Sequence, residues 1–398
     1  MRHLWITFFL LFAAQTAMAM DVTKPENVGL SSEKLASIDT ALNADIAAGK
    51  ISGATLSIMR KGKLAYHKAF GTRGKDGAAG PLKTDDIFRI YSMTKPLTSV
   101  AIMMLVEEGK IGLNDPVSAH IPAFANAKVL KEGKLIPAEN AITVKDLLRH
   151  TSGIVYGFFG DTPVRTEYKK VDLYGIKQST GEMVAKLASL PLEHQPGTAW
   201  EYSHSTDVLG HVVEIASKQS LDTFIRDRIL TPLDMQDTGF HVSADQKARI
   251  VEPTFKGLSN PLIEPNLLSG GGGMVSTAPD YLKFASMMIN KGRYNGNLLL
   301  KPETVEQMTR DHLGDIKPGN YNLLGKENGF GLGFSVRLTN EGAAPGSKGD
   351  YWWGGYAGTY FWIDPAKELI TVFMMQQPDQ RAPMRPRIRN WVYGALTD

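Results

Sequence analysis

The chain has 398 residues, of which 43% are apolar and 21% are charged, and it contains no cysteine. This composition is typical of a globular protein and excludes a disordered one, while the lack of thiols excludes disulfides, thiolate zinc sites and cysteine nucleophiles. The net charge is only +3, from 44 basic and 41 acidic side chains, so charge gives no indication of nucleic acid as a partner.

Residues 1–19 have the organisation of a secretory signal peptide. Arg2 forms a short positive region, residues 4–14 are an apolar run, and residues 17–19 form an Ala-Met-Ala cleavage site. The run is too short to span a bilayer comfortably, and an uncleaved membrane anchor is the alternative. We therefore expect a periplasmic or secreted protein without stable membrane association after cleavage.

The segment after the leader predicts a helix and then a hairpin. Residues 29–50 carry a capping serine and an apolar face with helical spacing. The members of that face are Leu35, Ile38, Leu42 and Ile46. Residues 53–71 consist of two alternating runs joined at Lys61-Gly62-Lys63, the pattern of two paired strands.

An apolar helix that begins with a serine and a lysine is the first feature of the chain that indicates a catalytic site. Pro96 favours a helix start within a residue or two of Ser92. The separation of three places Lys95 beside the Ser92 hydroxyl. Burial favours an uncharged amine, and an uncharged amine can accept the serine proton. The spacing alone favours a capping serine and a snorkelling lysine, and an N-cap on a surface helix fully explains the Ser-x-x-Lys of residues 31–34.

The remaining elements change from helical to strand-like along the chain. Signals from about 110 to 245 are mostly helical, whereas residues 329–338 alternate as in a strand. Residues 359–377 predict a second hairpin that turns at Asp364-Pro365, and a helix over about 384–395 ends the chain.

These elements predict an α+β fold. The chain exceeds the length that one core usually fills, and strands near both of its ends can share one antiparallel sheet. We expect an α/β sandwich lobe formed by 20–109 and about 246–398, with an inserted, mostly helical lobe over about 110–245. A cleft between two lobes is the expected binding site.

Five segments resemble, in order, the motifs of serine β-lactamases and penicillin-binding proteins, in particular the branch of class C β-lactamases and related carboxylesterases. They are FRIYSMTKPLTS (88–99), VKDLLRHTSGI (144–154), WEYSHSTDVLGHVVE (200–214), LLSGGGGMVSTAPDYLKF (267–284) and WWGGYAGTYFWIDP (352–365). The first contains the S-x-x-K signature. The resemblance implies a β-lactamase/transpeptidase-like fold, with 20–398 as a single catalytic domain.

The resemblance also implies a set of site residues. Ser92 would be the nucleophile, Lys95 its activating partner, and Tyr202 the second acid/base that passes a proton to the leaving group. The backbone N–H groups of Ser92 and Tyr356 would form the oxyanion hole. No cofactor and no metal are expected.

Two motifs depart from the β-lactamase pattern. Y-x-N is replaced by Tyr202-Ser203-His204, so the asparagine that would hold an amide side chain is missing. K-T-G is replaced by Trp353-Gly354-Gly355, so the cation and hydroxyl that engage a β-lactam carboxylate are also missing. The predicted substrate-binding residues are therefore Trp353, Gly354, Gly355 and His204. The apolar Trp353 favours neutral acyl groups, although the glycines also fit a tight turn.

Other motifs support different chemistries less well. Gly270–Gly273 lacks the lysine of a phosphate-binding loop, and no G-x-S-x-G is present. His150 and His204 allow a Ser-His pair or a metal site, but no H-E-x-x-H supports zinc. Ser152 fits a turn hydroxyl better than a nucleophile.

The sequence therefore predicts a serine hydrolase that forms an acyl-enzyme on Ser92. A carboxylesterase for short-chain or small aromatic esters is favoured. An amide hydrolase of the same superfamily is the alternative: a β-lactamase, a D-amino-acid peptidase or a small-oligoamide hydrolase. A catalytically silent relative that binds peptidoglycan fragments or a protein is the third. The expected partner is a small ester or amide, and the oligomeric state is left open.

Overall fold

The computed structural model describes residues 21–74, 79–253, 257–321 and 323–397. Its helices are α1 (Ser32–Ala47), α2 (Thr94–Glu107), α3 (Val144–Leu148), α4 (Pro163–Lys169), α5 (Thr180–Ser189), α6 (Ser205–Ser217), α7 (Leu221–Ile225), α8 (Ala278–Ile289), α9 (Pro302–Thr309) and α10 (Arg381–Gly394). The strands are β1 (Gly53–Arg60), β2 (Lys63–Gly71), β3 (Phe88–Arg89), β4 (Lys128–Lys131), β5 (Lys134–Pro137), β6 (Ala199–Trp200), β7 (Val275–Ser276), β8 (Arg293–Tyr294), β9 (Asn297–Leu298), β10 (Lys317–Pro318), β11 (Asn328–Phe330), β12 (Ser335–Arg337), β13 (Tyr351–Gly354), β14 (Tyr360–Asp364) and β15 (Leu369–Met375). The signal-peptide prediction falls outside the described residues.

A seven-stranded antiparallel sheet joins the two ends of the chain, in the order β11-β12-β13-β14-β15-β1-β2. Strand β1 pairs with β15, so that Ala54 lies opposite Met375 and Arg60 opposite Leu369. The prediction of a shared antiparallel sheet in an α+β fold is confirmed. Both predicted hairpins are also present, since β1 pairs with β2 and β14 with β15.

Helices cover both faces of this sheet, which explains why β14 and β15 are buried along their whole length. Phe373 and Met375 face a cluster that includes side chains of α1 and α10. Val372 and Met374 face the other cluster, which includes side chains of α2 and α8. Because successive side chains of a strand point to opposite faces of the sheet, the sheet contributes to a separate hydrophobic core on each face.

The segment 329–338 does not form the single strand that its alternation predicts. It contains two short strands, β11 and β12, which pair with each other. Gly333 lies between them with φ +100°, a conformation that glycine adopts at little cost. A Cβ at Gly333 would lie 2.6 Å from Ser99 Cβ, so this hairpin packs directly against α2. The final helix begins at Arg381, slightly earlier than predicted.

Helix α2 is buried from Thr94 to Leu105 and packs against α6 and α7. The predicted helical region also contains the β4–β5 ribbon. The lobe boundaries at 109 and 246 stay a prediction. No helix in the described part of the chain is long and apolar enough to cross a membrane.

Candidate active site

Ser92 lies in a 3₁₀ turn, Tyr91–Met93, that leads directly into α2. Lys95 follows in the first turn of that helix, and its Nζ lies 3.3 Å from Ser92 Oγ. The lysine is only 1% exposed. Tyr91 has φ +43°, an uncommon conformation for a residue other than glycine, of the kind that occurs at functional sites. The structure thus places the lysine amine beside the serine hydroxyl.

Lys95 has two further partners, neither of which follows from the sequence pattern. Its Nζ donates to Tyr156 Oη at 3.0 Å and to the Gly271 carbonyl at 2.5 Å. Burial raises the pKa of the Tyr156 phenol well above its usual range, so Tyr156 is a neutral hydroxyl that accepts this hydrogen bond. Tyr156 lies in the aromatic run Tyr156-Gly157-Phe158-Phe159, whose composition does not by itself indicate a contact with Lys95.

Tyr202 lies on the other side of the same amine. Lys95 Nζ lies 4.7 Å from the centroid of the Tyr202 ring, within the range of a cation–π contact. The Tyr202 hydroxyl accepts a hydrogen bond from Trp353 Nε1 at 3.3 Å. Ser92, Lys95, Tyr202 and Trp353, which are far apart in the sequence, therefore meet at one site.

The end of β13 packs against the turn that contains Ser92. Thr359 Oγ1 donates to the Ile90 carbonyl at 3.3 Å, and the Tyr91 and Tyr356 rings meet edge to face at 5.7 Å. Among the described residues, the Tyr356 N–H has no hydrogen-bond acceptor. A free N–H beside the nucleophile suits an oxyanion hole, and that role of Tyr356 stays a prediction.

His204 is held by hydrogen bonds to other side chains of the protein. Its Nδ1 lies 2.8 Å from Asp207 Oδ2, and its Nε2 lies 3.0 Å from Tyr174 Oη. The residue is only 1% exposed. Both ring nitrogens are therefore occupied by the protein, and a direct contact with substrate would require one of these bonds to break.

Asp207 connects His204 to the glycine loop 270–273. It accepts hydrogen bonds from Ser269 Oγ at 2.6 Å and from the Gly271 N–H at 2.9 Å. Burial alone would raise the pKa of Asp207, but the His204 hydrogen bond and nearby positive charge lower it below its ordinary value. Because Gly271 also accepts from Lys95, the loop fixes the amine rather than binding a phosphate.

The alternative Ser-His arrangement is a buried structural network. His150 Nδ1 lies 3.2 Å from Ser203 Oγ, and Ser205 Oγ lies 2.7 Å from the hydroxyls of both Ser203 and Ser152. These four residues are at most 1% exposed. The hydroxyls satisfy one another and are closed to substrate. No cluster of three or more His, Asp or Glu side chains that could hold a metal lies within the described ranges.

A buried ion pair holds the two tyrosine segments together. Arg165 Nη2 lies 2.6 Å from Glu201 Oε1, and Arg165 Nη1 donates to the Tyr156 carbonyl at 2.8 Å. Both charged residues are 0% exposed. Since Glu201 precedes Tyr202, the arginine positions both tyrosines.

Replacing Arg165 with methionine is expected to lower the free energy of unfolding by about 3–5 kcal/mol, because the buried Glu201 carboxylate loses its guanidinium and keeps only His194 Nε2 at 3.3 Å and the Asn320 N–H at 2.7 Å. Urea denaturation followed by circular dichroism measures this change. The matched control is Lys170→Met, since Lys170 pairs with Glu167 at 2.7 Å on the surface and an exposed pair contributes less than about 1 kcal/mol. Equal losses in the two variants would contradict the assigned role.

An aromatic pocket lies beside these residues, and Tyr202 and the Trp353-Gly354-Gly355 edge form part of its lining. Phe159 and Tyr321 stack at 4.4 Å in its wall. These two rings come from loops whose sequences carry no spacing that would have predicted a shared pocket.

Comparison with known proteins identifies the family. The family model described as Beta-lactamase matches residues 38–393. The lovastatin esterase of Penicillium rubens is 30% identical over 89% of this chain and 98% of that protein. Esterase EstB of Burkholderia gladioli is 29% identical over 95% of this chain and 100% of that protein.

Solved structures agree on the fold. The structure of EstCE1, described as a hydrolase with promiscuous acyltransferase activity, superposes with a TM-score of 0.75 at 24% identity, over 91% of this chain and 99% of that chain. The sequence resemblance to serine β-lactamases and related esterases is confirmed. The chain belongs to the beta-lactamase family and is a serine hydrolase.

Proposed function

We propose that the protein is a carboxylesterase that hydrolyses short-chain or small aromatic esters through an acyl-enzyme on Ser92. The observation that carries this proposal is the set of partners around Lys95 Nζ: Ser92 Oγ, Tyr156 Oη and the Gly271 carbonyl. A carbonyl oxygen only accepts, so it takes one N–H, and Tyr156 takes a second. In the uncharged amine the remaining lone pair then faces the serine hydroxyl.

The reaction follows from this arrangement. Ser92 Oγ attacks the ester carbonyl carbon while its proton passes to Lys95 Nζ. The N–H groups of Ser92 and Tyr356 hold the developing oxyanion, and Tyr202 donates a proton to the leaving alkoxide as its bond to the carbonyl carbon breaks. Water then attacks the acyl-enzyme, and the same groups return the serine to its resting state.

The W-G-G edge supports esters over β-lactams and peptides. Trp353 lies where those enzymes carry a lysine, and its indole N–H is directed at Tyr202. His204, in the place of the asparagine, is bonded to Asp207 and Tyr174. These two positions therefore lack the lysine and the asparagine with which β-lactamases and peptidases hold their substrates.

We expect kcat/KM for p-nitrophenyl butyrate to exceed that for a chromogenic cephalosporin and for D-alanine p-nitroanilide. The asparagine that would hold a substrate amide is replaced by His204, and a hydrogen-bonding group of a buried amide that is left unsatisfied costs roughly 1–3 kcal/mol, or about 5- to 150-fold, so a preference of at least about 5-fold is predicted. All three rates are measured with one enzyme preparation. Equal turnover of ester and cephalosporin would favour the amide-hydrolase alternative.

We also propose export to the periplasm or the medium with removal of the leader. The A-x-A site and the short apolar run of residues 4–14 support this. N-terminal sequencing of exported protein is expected to begin at or within a few residues of Met20. Intact Met1 in a membrane fraction would refute cleavage.

A further inference from the structure

The turn that carries the nucleophile leaves the Ser92 N–H group without an internal acceptor. In a regular 3₁₀ turn each N–H bonds to the carbonyl three residues earlier, and the Met93 N–H does so with Ile90 at 3.0 Å. The Ser92 N–H would use the Arg89 carbonyl in the same way, but within the described ranges it makes no such bond. The Arg89 carbonyl instead accepts from Gln376 Nε2 at 3.1 Å. The Ser92 N–H is therefore available to a developing oxyanion.

Gln376 binds both backbone groups of Arg89. Besides the bond from its Nε2, its Oε1 accepts from the Arg89 N–H at 3.3 Å. Arg89 lies in β3, which also pairs with β7, so the carboxamide offers to Arg89 the donor and the acceptor that a neighbouring strand would offer. Gln376 is only 2% exposed and follows directly after β15. The central sheet thus fixes the segment that leads into Ser92.

The same end of β15 holds the loop that carries Tyr356. The Gln377 N–H donates to the Ala357 carbonyl at 2.7 Å, and Ala357 follows Tyr356 in the connection between β13 and β14. The two expected donors of the oxyanion hole, the N–H groups of Ser92 and Tyr356, are therefore both held by the adjacent residues Gln376 and Gln377. One holds through its side chain and the other through its backbone.

The turn and the loop are also in direct contact with each other. A Cβ at Gly355 would lie 2.4 Å from the Ile90 carbonyl oxygen, and Thr359 Oγ1 donates to the same oxygen at 3.3 Å. Gly355 precedes Tyr356, and Ile90 lies two residues before Ser92. The relative position of the two N–H donors therefore depends on how these segments are held against the end of β15.

We propose that Gln376 is a positioning residue that sets the geometry of the oxyanion hole through its two hydrogen bonds to Arg89. This inference rests on the proposed acyl-enzyme mechanism, and it adds a residue that contacts neither the substrate nor the nucleophile. The hole acts on the charge that develops in the transition state. Loss of its geometry therefore lowers kcat and leaves KM nearly unchanged, whereas a merely structural glutamine would affect stability alone.

Gln376→Met tests this role, because methionine is of similar length and makes neither hydrogen bond. With p-nitrophenyl butyrate, kcat is expected to fall about 10- to 100-fold, since a small displacement of positioned groups costs about this much. KM is expected to stay within about threefold of the wild type.

A transition-state analogue provides the second readout. Ser92 Oγ adds to the carbonyl carbon of propyl trifluoromethyl ketone while its proton passes to Lys95 Nζ. The carbonyl oxygen becomes an alkoxide in the oxyanion hole, and no group leaves. The inhibition constant of this ketone is expected to rise in Gln376→Met by a factor similar to the fall in kcat, because both depend on the same two N–H donors.

A matched control and a second variant accompany this experiment. Gln195 Oε1 also accepts from a backbone N–H, that of Glu139 at 2.8 Å, and Gln195→Met is expected to leave kcat, KM and the inhibition constant within about twofold of the wild type. Gln376→Glu can accept from the Arg89 N–H, but an ionised carboxylate cannot donate to the Arg89 carbonyl. Its kcat is therefore expected to fall at least about 10-fold. Thermal melting identifies the folded variants.

A kcat and an inhibition constant that both stay within about threefold of the wild type in either folded variant of Gln376 would overturn the role while leaving the esterase function intact. A rise in KM without a fall in kcat would also overturn it. If the wild type does not hydrolyse the ester, the proposed function fails instead. In that case, the rate at which a fluorophosphonate probe labels Ser92 decides the inference, because the attacked phosphoryl group also places an oxygen in the hole. Labelling that slows about 10-fold or more in Gln376→Met supports the role, and unchanged or undetectable labelling overturns it.

Discussion

Replacing Ser92 with alanine is expected to reduce ester hydrolysis by roughly 10⁴- to 10⁶-fold, the loss that follows removal of a serine nucleophile. The fold should be retained, because only one oxygen atom is removed and the turn that carries Ser92 is held by other contacts. One of them is the hydrogen bond from Ile90 N–H to the Met274 carbonyl, at 3.0 Å. Initial rates with p-nitrophenyl butyrate and a thermal melt measure both quantities.

Ser152→Ala is the matched control for that experiment. Ser152 also lies in a motif of the family and is 1% exposed, with its hydroxyl 2.7 Å from Ser205. This hydroxyl belongs to the buried network, so its loss is expected to lower stability by about 1–3 kcal/mol and activity by less than about 10-fold. A loss of activity in Ser152→Ala that equals the loss in Ser92→Ala would remove Ser92 from its assigned role.

Replacing Tyr202 with phenylalanine is expected to lower kcat by about 10²- to 10⁴-fold, the usual contribution of a positioned acid/base. The effect should be larger for ethyl butyrate than for p-nitrophenyl butyrate. An alkoxide needs a proton in order to leave, whereas p-nitrophenolate leaves readily without one. The measurement is kcat for both esters in the wild type and in the variant.

Tyr156→Phe separates a proton carrier from a residue that positions the lysine. Tyr156 accepts from Lys95 Nζ at 3.0 Å, and burial keeps its pKa well above the usual range, so it holds its proton throughout the assay range. Its loss is expected to slow both esters alike, by about 10-fold. If Tyr156→Phe shows the dependence on leaving group and Tyr202→Phe does not, the two roles are reversed.

The sequence predicts those parts of the fold and site that depend on local pattern. Pro96 and the apolar run locate the start of α2, and the i, i+3 spacing brings Lys95 to Ser92. The alternation in 53–71 and 359–377 predicts two hairpins, which the structure confirms. Segment order and motif resemblance place Tyr202 near this serine, which local spacing alone does not.

Local sequence patterns do not predict contacts between segments that are distant in the sequence. Tyr156 reaches Lys95 because the Arg165–Glu201 pair fixes two loops, and nothing in the local sequence around Tyr156 encodes that distance. Arg385 belongs to a basic helix whose charges all resemble a solvated face in the sequence. Only the packing of α10 beside the Trp353-Gly354-Gly355 edge distinguishes Arg381 and Arg385, which line the pocket, from the two arginines that are paired with acids.

The most direct test of Ser92 as the nucleophile is covalent labelling with a fluorophosphonate probe, followed by mass spectrometry of the digested protein. The probe reacts with an activated serine, and Ser92 is the serine whose hydroxyl lies 3.3 Å from Lys95 Nζ. The expected result is a single adduct on the peptide that contains Ser92, absent in Ser92→Ala. An adduct on Ser152 or Ser203, with Ser92 unmodified, would contradict the account.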